Sequence, residues 1–188
     1  MCGACRCGMP VTKAPGPRAC GVLDYLTEQA LRSLIHRSTR LQDAGNVEEL
    51  AQLFSRGEIV FAGVGEVFAG SEGVRALMRR HLFYDANGSP ANPELLYATG
   101  RALHYVSNID IARAEDGALG AESHFLIVQQ HGTSPPQIIL GGRYRDSFGE
   151  AEGVFFIRRR VVEVHFIGET AAYLSTHPWG LSSRTARR

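Results

Sequence analysis

Between residues 22 and 43 the apolar positions Leu23, Leu26, Ala30, Leu31, Leu34, Ile35 and Leu41 return every three or four residues. That spacing predicts a long helix with one apolar face. Gly45 stops it, and Asn46 is placed to cap a second helix, with Glu49 three residues on as in a capping box. The second helix would bury Val47, Leu50, Leu53 and Phe54. Glu58–Ala62 and Glu66–Ala69 read as short strands around Gly63-Val64-Gly65, and Ser71 then caps a third helix carrying Val74, Leu77, Met78 and Leu82.

Beyond the Asn-, Gly- and Pro-rich loop Tyr84–Pro93 the period changes from helical to alternating. Four long strands are expected, at about 95–113, 119–131, 137–149 and 154–167, with turns at Glu115-Asp116-Gly117 and Glu150-Ala151-Glu152-Gly153 and a longer loop at Gly132–Pro136. Helices first and an antiparallel meander afterwards make an α+β fold, not a doubly wound one. Gly63-Val64-Gly65 opens no helix of a βαβ unit, so it is no dinucleotide fingerprint.

Length and composition add limits. The 188 residues, 44% of them hydrophobic, suit one domain with a full core. The expected layout is a Cys/Pro/Gly leader at 1–21, a folded domain at 22–170 and a C-terminal tail at 171–188. No apolar run approaches the roughly 20 residues that span a bilayer, and the first 21 residues lack a signal-peptide apolar segment. A soluble cytoplasmic protein without membrane partners is the default. Residues 1–21 and 184–188 each carry three basic groups and no acid; without them 14 basic residues face 19 acidic ones, a net of −5. Such a balance argues against a nucleic-acid partner. Cys2, Cys5, Cys7 and Cys20 all lie in the leader, where they read either as a thiolate metal cluster or as part of a disordered segment. No cysteine follows them, so the domain has no disulfide scaffold.

Six positions carry candidate chemistry. Ile35, Thr39 and Asp43 share one ridge of the first helix, whose buried face includes Ile35. A carboxylate in the last turn meets the negative end of the helix dipole, so Asp43 either is an ordinary solvated helix-end acid or has a donor waiting for it. His104 sits in mid-strand on the face of Ala102 and Val106. It is either a satisfied core histidine or, with a carboxylate on one ring nitrogen, a general base held in one tautomer. On the third long strand Leu140, Gly142, Tyr144, Asp146 and Phe148 share a face; on the fourth, Arg158, Arg160, Val162 and Val164 do. If both look inward, Arg160 and Asp146 meet, as a structural ion pair or as substrate-binding groups. His124, on the second long strand, is a further inward candidate, or else an ordinary surface or core histidine. No HExxH, P-loop, EF-hand or Ser-His-Asp signature is present.

From about 22 to 170 the chain resembles the SnoaL-like branch of the nuclear transport factor 2-like superfamily, in particular scytalone dehydratase and the hexachlorocyclohexane dehydrochlorinase type. In the latter the catalytic Asp ends the first helix and its His partner lies in His-Tyr-x-Thr-Asn. The matching positions are Asp43, in Arg40-Leu41-Gln42-Asp43, and His104, in His104-Tyr105-Val106-Ser107-Asn108. The family's pocket Asp falls on Asp146, with Tyr144 two residues earlier, and its pocket Arg falls on Arg160. Where the dehydrochlorinase has Lys five residues before its Asp, this chain has Ser38, which argues against chloride as the leaving group.

The resemblance implies a cone-shaped α+β barrel whose N-terminal helices pack on a curved antiparallel sheet enclosing one pocket. It implies a His104–Asp43 dyad acting on a small hydrophobic or aromatic oxygenated molecule by dehydration, isomerisation or cyclisation, without metal or organic cofactor. Tyr144, Asp146, Arg160 and His124 would bind substrate, and the protein would form a homodimer. The alternative is a non-catalytic ligand-binding or assembly subunit, like the β subunit of ring-hydroxylating dioxygenases.

Overall fold

The computed structural model describes residues 23–84, 90–91, 102–130, 135–171 and 173–175. The cysteine leader, most of the Tyr84–Pro93 loop, the expected strand start at 95–101 and the tail from 176 onward lie outside the described residues.

Helix α1 is Tyr25–Asp43, with the Asp24 side chain accepting from the Thr27 amide at 2.9 Å. It ends in a Schellman motif: the Gly45 N–H donates to the Gln42 carbonyl at 3.0 Å and the Asn46 N–H to Leu41 at 2.9 Å. Gly45 takes φ +69°, a left-handed conformation that side chains resist. Asn46 caps α2, Val47–Leu53, by accepting from the Glu49 N–H. The return bond of a capping box is altered, because the Asn46 N–H is already spent on Leu41; its Nδ2 donates to Glu49 Oε1 at 2.8 Å instead.

Strands β1 (Glu58–Phe61) and β2 (Glu66–Ala69) precede α3, Gly70–Met78. The expected Ser71 cap does not form. Ala69 occupies the cap position without a side-chain bond, and Ser71 Oγ inside the helix donates to the Ala51 carbonyl at 3.0 Å. Leu82 falls outside this helix. A two-residue pair, β3 (Phe83–Tyr84) and β4 (Pro90–Ala91), is followed by the long strands β5 (Ala102–Arg113), β6 (Leu119–Gln129), β7 (Gln137–Ala151) and β8 (Val154–Ile167).

Six strands form one sheet in the order β2-β1-β8-β7-β6-β5. The α+β class is as expected, with two refinements: the sheet is not closed, and it is mixed. The junction of β1 with β8 is parallel, pairing Ile59 with Arg160, while the other pairings are antiparallel. Helix α1 packs on β5 and β8, α3 packs on β1 and β2, and α2 lies between the other two helices. Their apolar faces, with Leu31, Ile35, Phe54, Val74 and Met78, bury against Phe125, Ile139, Tyr144 and Ile157 of the sheet. Each such side chain contributes roughly 1.5–3 kcal/mol by leaving water.

The inward face expected for β7 holds, since Leu140, Gly142, Tyr144, Asp146 and Phe148 are all buried. On β8 the register shifts between Ser147 and Phe148, so Ile157 rather than Arg158 opposes Phe148. Ile157 is therefore buried and Arg158 exposed, which corrects the expected inward position of Arg158.

Candidate active site

The Ile35–Thr39–Asp43 ridge carries the acid into the molecule. Ile35 and Thr39 are buried, and one turn later the Asp43 carboxylate meets β5. It is received by the donors its position at a helix end requires. The His104 N–H approaches both carboxylate oxygens, at 3.2 and 3.1 Å, and His104 Nδ1 lies 2.5 Å from Asp43 Oδ1. The His104 side chain is 2% exposed. A carboxylate of this kind accepts, so Nδ1 carries a hydrogen, and in the neutral ring Nε2 is then the acceptor.

On the adjoining strands Asp146 and Arg160 are register partners. Arg160 Nε and Nη2 donate to the two Asp146 oxygens at 2.7 and 2.8 Å, a bidentate pair. Arg160 Nη1 donates to Ser38 Oγ at 2.7 Å, and Ser38 passes its own hydrogen to the Ile35 carbonyl. The guanidinium lies 4.4 Å from the centre of the Tyr144 ring, which stacks on Phe125 at 4.3 Å. Burial works against the Arg160 charge, but Asp146 more than offsets it and the net shift is upward. Burial likewise pushes the Tyr144 hydroxyl up, with Arg160 opposing, so Tyr144 stays protonated at neutral pH.

These groups surround one cavity that opens to solvent at its mouth. His104, Tyr144, Arg160, Ser38 and Gln42 line it together with Phe54, Ile59, Phe125 and Leu140, so a few polar groups point into a largely apolar hollow. Asp43 stands behind His104, in a smaller adjoining cleft.

Five of the six sequence candidates thus converge: Asp43, His104, Tyr144, Asp146 and Arg160. Asp146 is held by Arg160 and does not itself line the cavity. His124 does not join them. The buried positions of β6 are Ala121, Ser123, Phe125, Ile127 and Gln129; His124 has the opposite parity, is exposed, and has its Nδ1 2.9 Å from Asn108 Nδ2 on the outer face.

Gln42, His81 and Tyr173 also line the cavity and are not among the sequence candidates. His81 follows α3, and Tyr173 lies in the stretch assigned to the tail. An isolated bridge between His81 and Leu174 joins the two segments, and the Leu82 N–H donates to the Tyr173 carbonyl at 2.8 Å. Only Gln42 carried a signal: it sits four residues after Ser38, on the same ridge of α1. Among the described residues no cluster of three or more His, Cys, Asp or Glu is arranged to hold a metal ion. Nor is any helix among them long and apolar enough to cross a membrane.

The sequence family described as SnoaL-like domain matches residues 24–161. No curated protein sequence matches the chain. Three solved structures from Novosphingobium aromaticivorans are similar in fold. An NTF2-like protein with a cystatin-like fold is 19% identical, covering 77% of this chain and 85% of its own at a TM-score of 0.57. A candidate scytalone dehydratase is 19% identical over 75% of this chain and 85% of its own, at 0.53. The β subunit of a candidate aromatic-ring-hydroxylating dioxygenase is 13% identical over 79% and 96%, at 0.57.

Proposed function

The chain belongs to the SnoaL-like domain family, and from that premise we propose that it is a cofactor-independent acid–base enzyme of dehydratase, isomerase or cyclase type. Its substrate is a small hydrophobic or aromatic molecule carrying a few oxygens. The observation that carries this reading is the imidazole of His104, held through Nδ1 by Asp43 and lining an apolar cavity. A histidine kept only for packing needs no such partner, nor a hollow beside it.

The chemistry follows from the geometry. The free Nε2 of His104 removes a proton from substrate carbon, and the imidazolium that forms is stabilised by the Asp43 carboxylate. A positioned base of this kind contributes a factor of about 10²–10⁴. Arg160 and Tyr144 remain charged and protonated respectively, so both can donate to an oxygen on which negative charge develops. The apolar walls exclude water and strengthen those interactions. Ser38 in place of a lysine leaves Arg160 as the cation beside α1. No step calls on a metal or an organic cofactor.

Turnover of a panel of hydroxylated bicyclic aromatic ketones is the test. His104→Ala should abolish turnover, and Asp43→Asn should slow it by about 10²-fold or more, with the fold unchanged by circular dichroism. Full activity of His104→Ala on a substrate the wild type converts overturns the reading. The β subunit with the same fold suggests a second reading, an assembly subunit. The unfilled cavity beside His104 favours the enzyme.

The working unit in this proposal is the domain at 22–170, in the cytoplasm, with the side chains of Tyr173 and Leu174 completing its cavity. A second copy docks on the outer face of the sheet.

A further inference from the structure

Beside the dyad runs a second chain of hydrogen bonds whose direction can be worked out atom by atom. It starts at the Leu77 carbonyl, which can only accept. His81 Nδ1 lies 3.2 Å from that oxygen and therefore carries a hydrogen. The ring is neutral at ordinary pH, because burial pushes it down from 6.5 to about 4, with the Arg80 guanidinium adding to the effect. Nε2 of a neutral ring protonated at Nδ1 is an acceptor. The group facing it, at 3.2 Å, is Gln42 Nε2, which must donate. The same amide nitrogen donates its other hydrogen to the Tyr173 hydroxyl oxygen at 3.2 Å.

Each link constrains the next. Both Gln42 amide hydrogens are committed, so the amide cannot turn its carbonyl toward Tyr173 without setting that oxygen against the His81 lone pair. Tyr173 is therefore an acceptor toward Gln42, and its own hydrogen points elsewhere. The phenol is 3% exposed, lines the cavity with His104, and stays protonated because burial pushes it well above its ordinary range. His81 also meets the Tyr173 ring edge-on at 5.0 Å, which fixes the plane of the phenol.

We propose that Tyr173 is a hydrogen-bond donor to a carbonyl or hydroxyl oxygen of the bound molecule, and that His81 and Gln42 are positioning residues that fix the direction of its hydroxyl. This rests on the reading of the cavity as the ligand site, but not on His104 being catalytic. It adds a specificity element. His104 offers a lone pair, whereas Tyr173 offers a hydrogen, so the site selects a molecule with an acidic C–H near one end and an acceptor oxygen toward Tyr173. A hydrocarbon of the same shape would leave a buried donor without a partner, and such sites discriminate strongly against the missing acceptor.

The test is binding, which is independent of turnover. Two probes of nearly equal shape are used: 1-tetralone labelled with ¹³C at the carbonyl, and tetralin, which lacks the oxygen. Wild-type protein should bind tetralone more tightly and shift its ¹³C carbonyl resonance downfield. Tyr173→Phe keeps the ring and should reduce the tetralone preference about tenfold while leaving tetralin binding unchanged. Gln42→Glu replaces a donor by an acceptor of the same shape, so the Tyr173 hydrogen turns toward residue 42. The carbonyl shift should then collapse although the Tyr173 hydroxyl is still present, a change that lost packing would not produce. An undiminished shift and preference in Tyr173→Phe overturns the proposal and places the donor elsewhere, with Arg160 the next candidate. Failure of the wild type to distinguish the two probes also overturns it. Loss of turnover in His104→Ala with tetralone binding intact leaves this assignment standing, so the two claims fail separately.

Discussion

His81 is a base kept neutral by the fold, and that has a measurable cost in acid. Its ring takes a proton near 6.5 when the chain is unfolded but only near 4 in the native structure. Between those values the unfolded state binds more protons, so stability falls as pH drops from 6.5 toward 4 and is unaffected by this group above 6.5. The shift corresponds to a ceiling of about 3 kcal/mol, a ceiling because the residue keeps some accessible surface. Urea midpoints measured from pH 7.5 down to 4 should fall through this window in the wild type and flatten in His81→Gln. An equally steep fall in the variant would assign the acid sensitivity to other groups. The Arg160–Asp146 pair behaves differently, since both charges are buried and satisfied by each other. Removing one partner alone strands the other, a loss of about 3–5 kcal/mol.

At the scale of elements, the close pairing of β7 with β8 depends on glycine where the sheet shifts register. A Cβ added at Gly142 would stand 1.9 Å from the Glu163 carbonyl oxygen, which is backbone and cannot swing aside. Gly142→Ala should therefore destabilise by about 1–3 kcal/mol or more, read from thermal and urea unfolding, and should disturb the neighbouring Tyr144. The same strands show how far periodicity carries a reading. On β7 every second residue from 140 to 148 is buried, and that alternation brought Tyr144 and Asp146 to the site from the sequence alone. On β6 both faces carry apolar residues, Phe125 and Ile127 inward, Leu126 outward, so parity is ambiguous, and of the two readings of His124 the inward one fails. Arg158 was misplaced by a register shift that leaves no mark in the hydropathy pattern. His81 and Tyr173 were illegible for another reason. They join the cavity through a bridge spanning more than ninety residues, and neither belongs to a helix or strand whose period could point it inward. Asp43 and His104 were legible because each ends or occupies a strongly periodic element.

For the molecule as a whole, the sheet has two faces with separate tasks. The inner one forms the cavity, and the outer one exposes Leu103, Tyr105, Leu126, Ile138 and Phe166. Tyr105 opposes Leu126, which opposes Gly141, which in turn opposes Phe166, so these residues run across four strands as one apolar band. An exposed apolar band of this kind is where the proposed second copy would dock. Sedimentation should show a dimer in the wild type and a monomer with unchanged melting temperature after Tyr105→Glu combined with Leu126→Glu; a wild-type monomer at micromolar concentration removes the dimer from the proposal. The parallel junction has a consequence of another kind. Glu58 pairs with Arg159, about a hundred residues further along the chain. A ribosome adding about 5–20 residues per second makes β8 some 5–20 s after β1. Throughout that interval the edge of β1 at Ile59 and Val60 awaits the strand that will pair with it, an open template for a neighbouring chain.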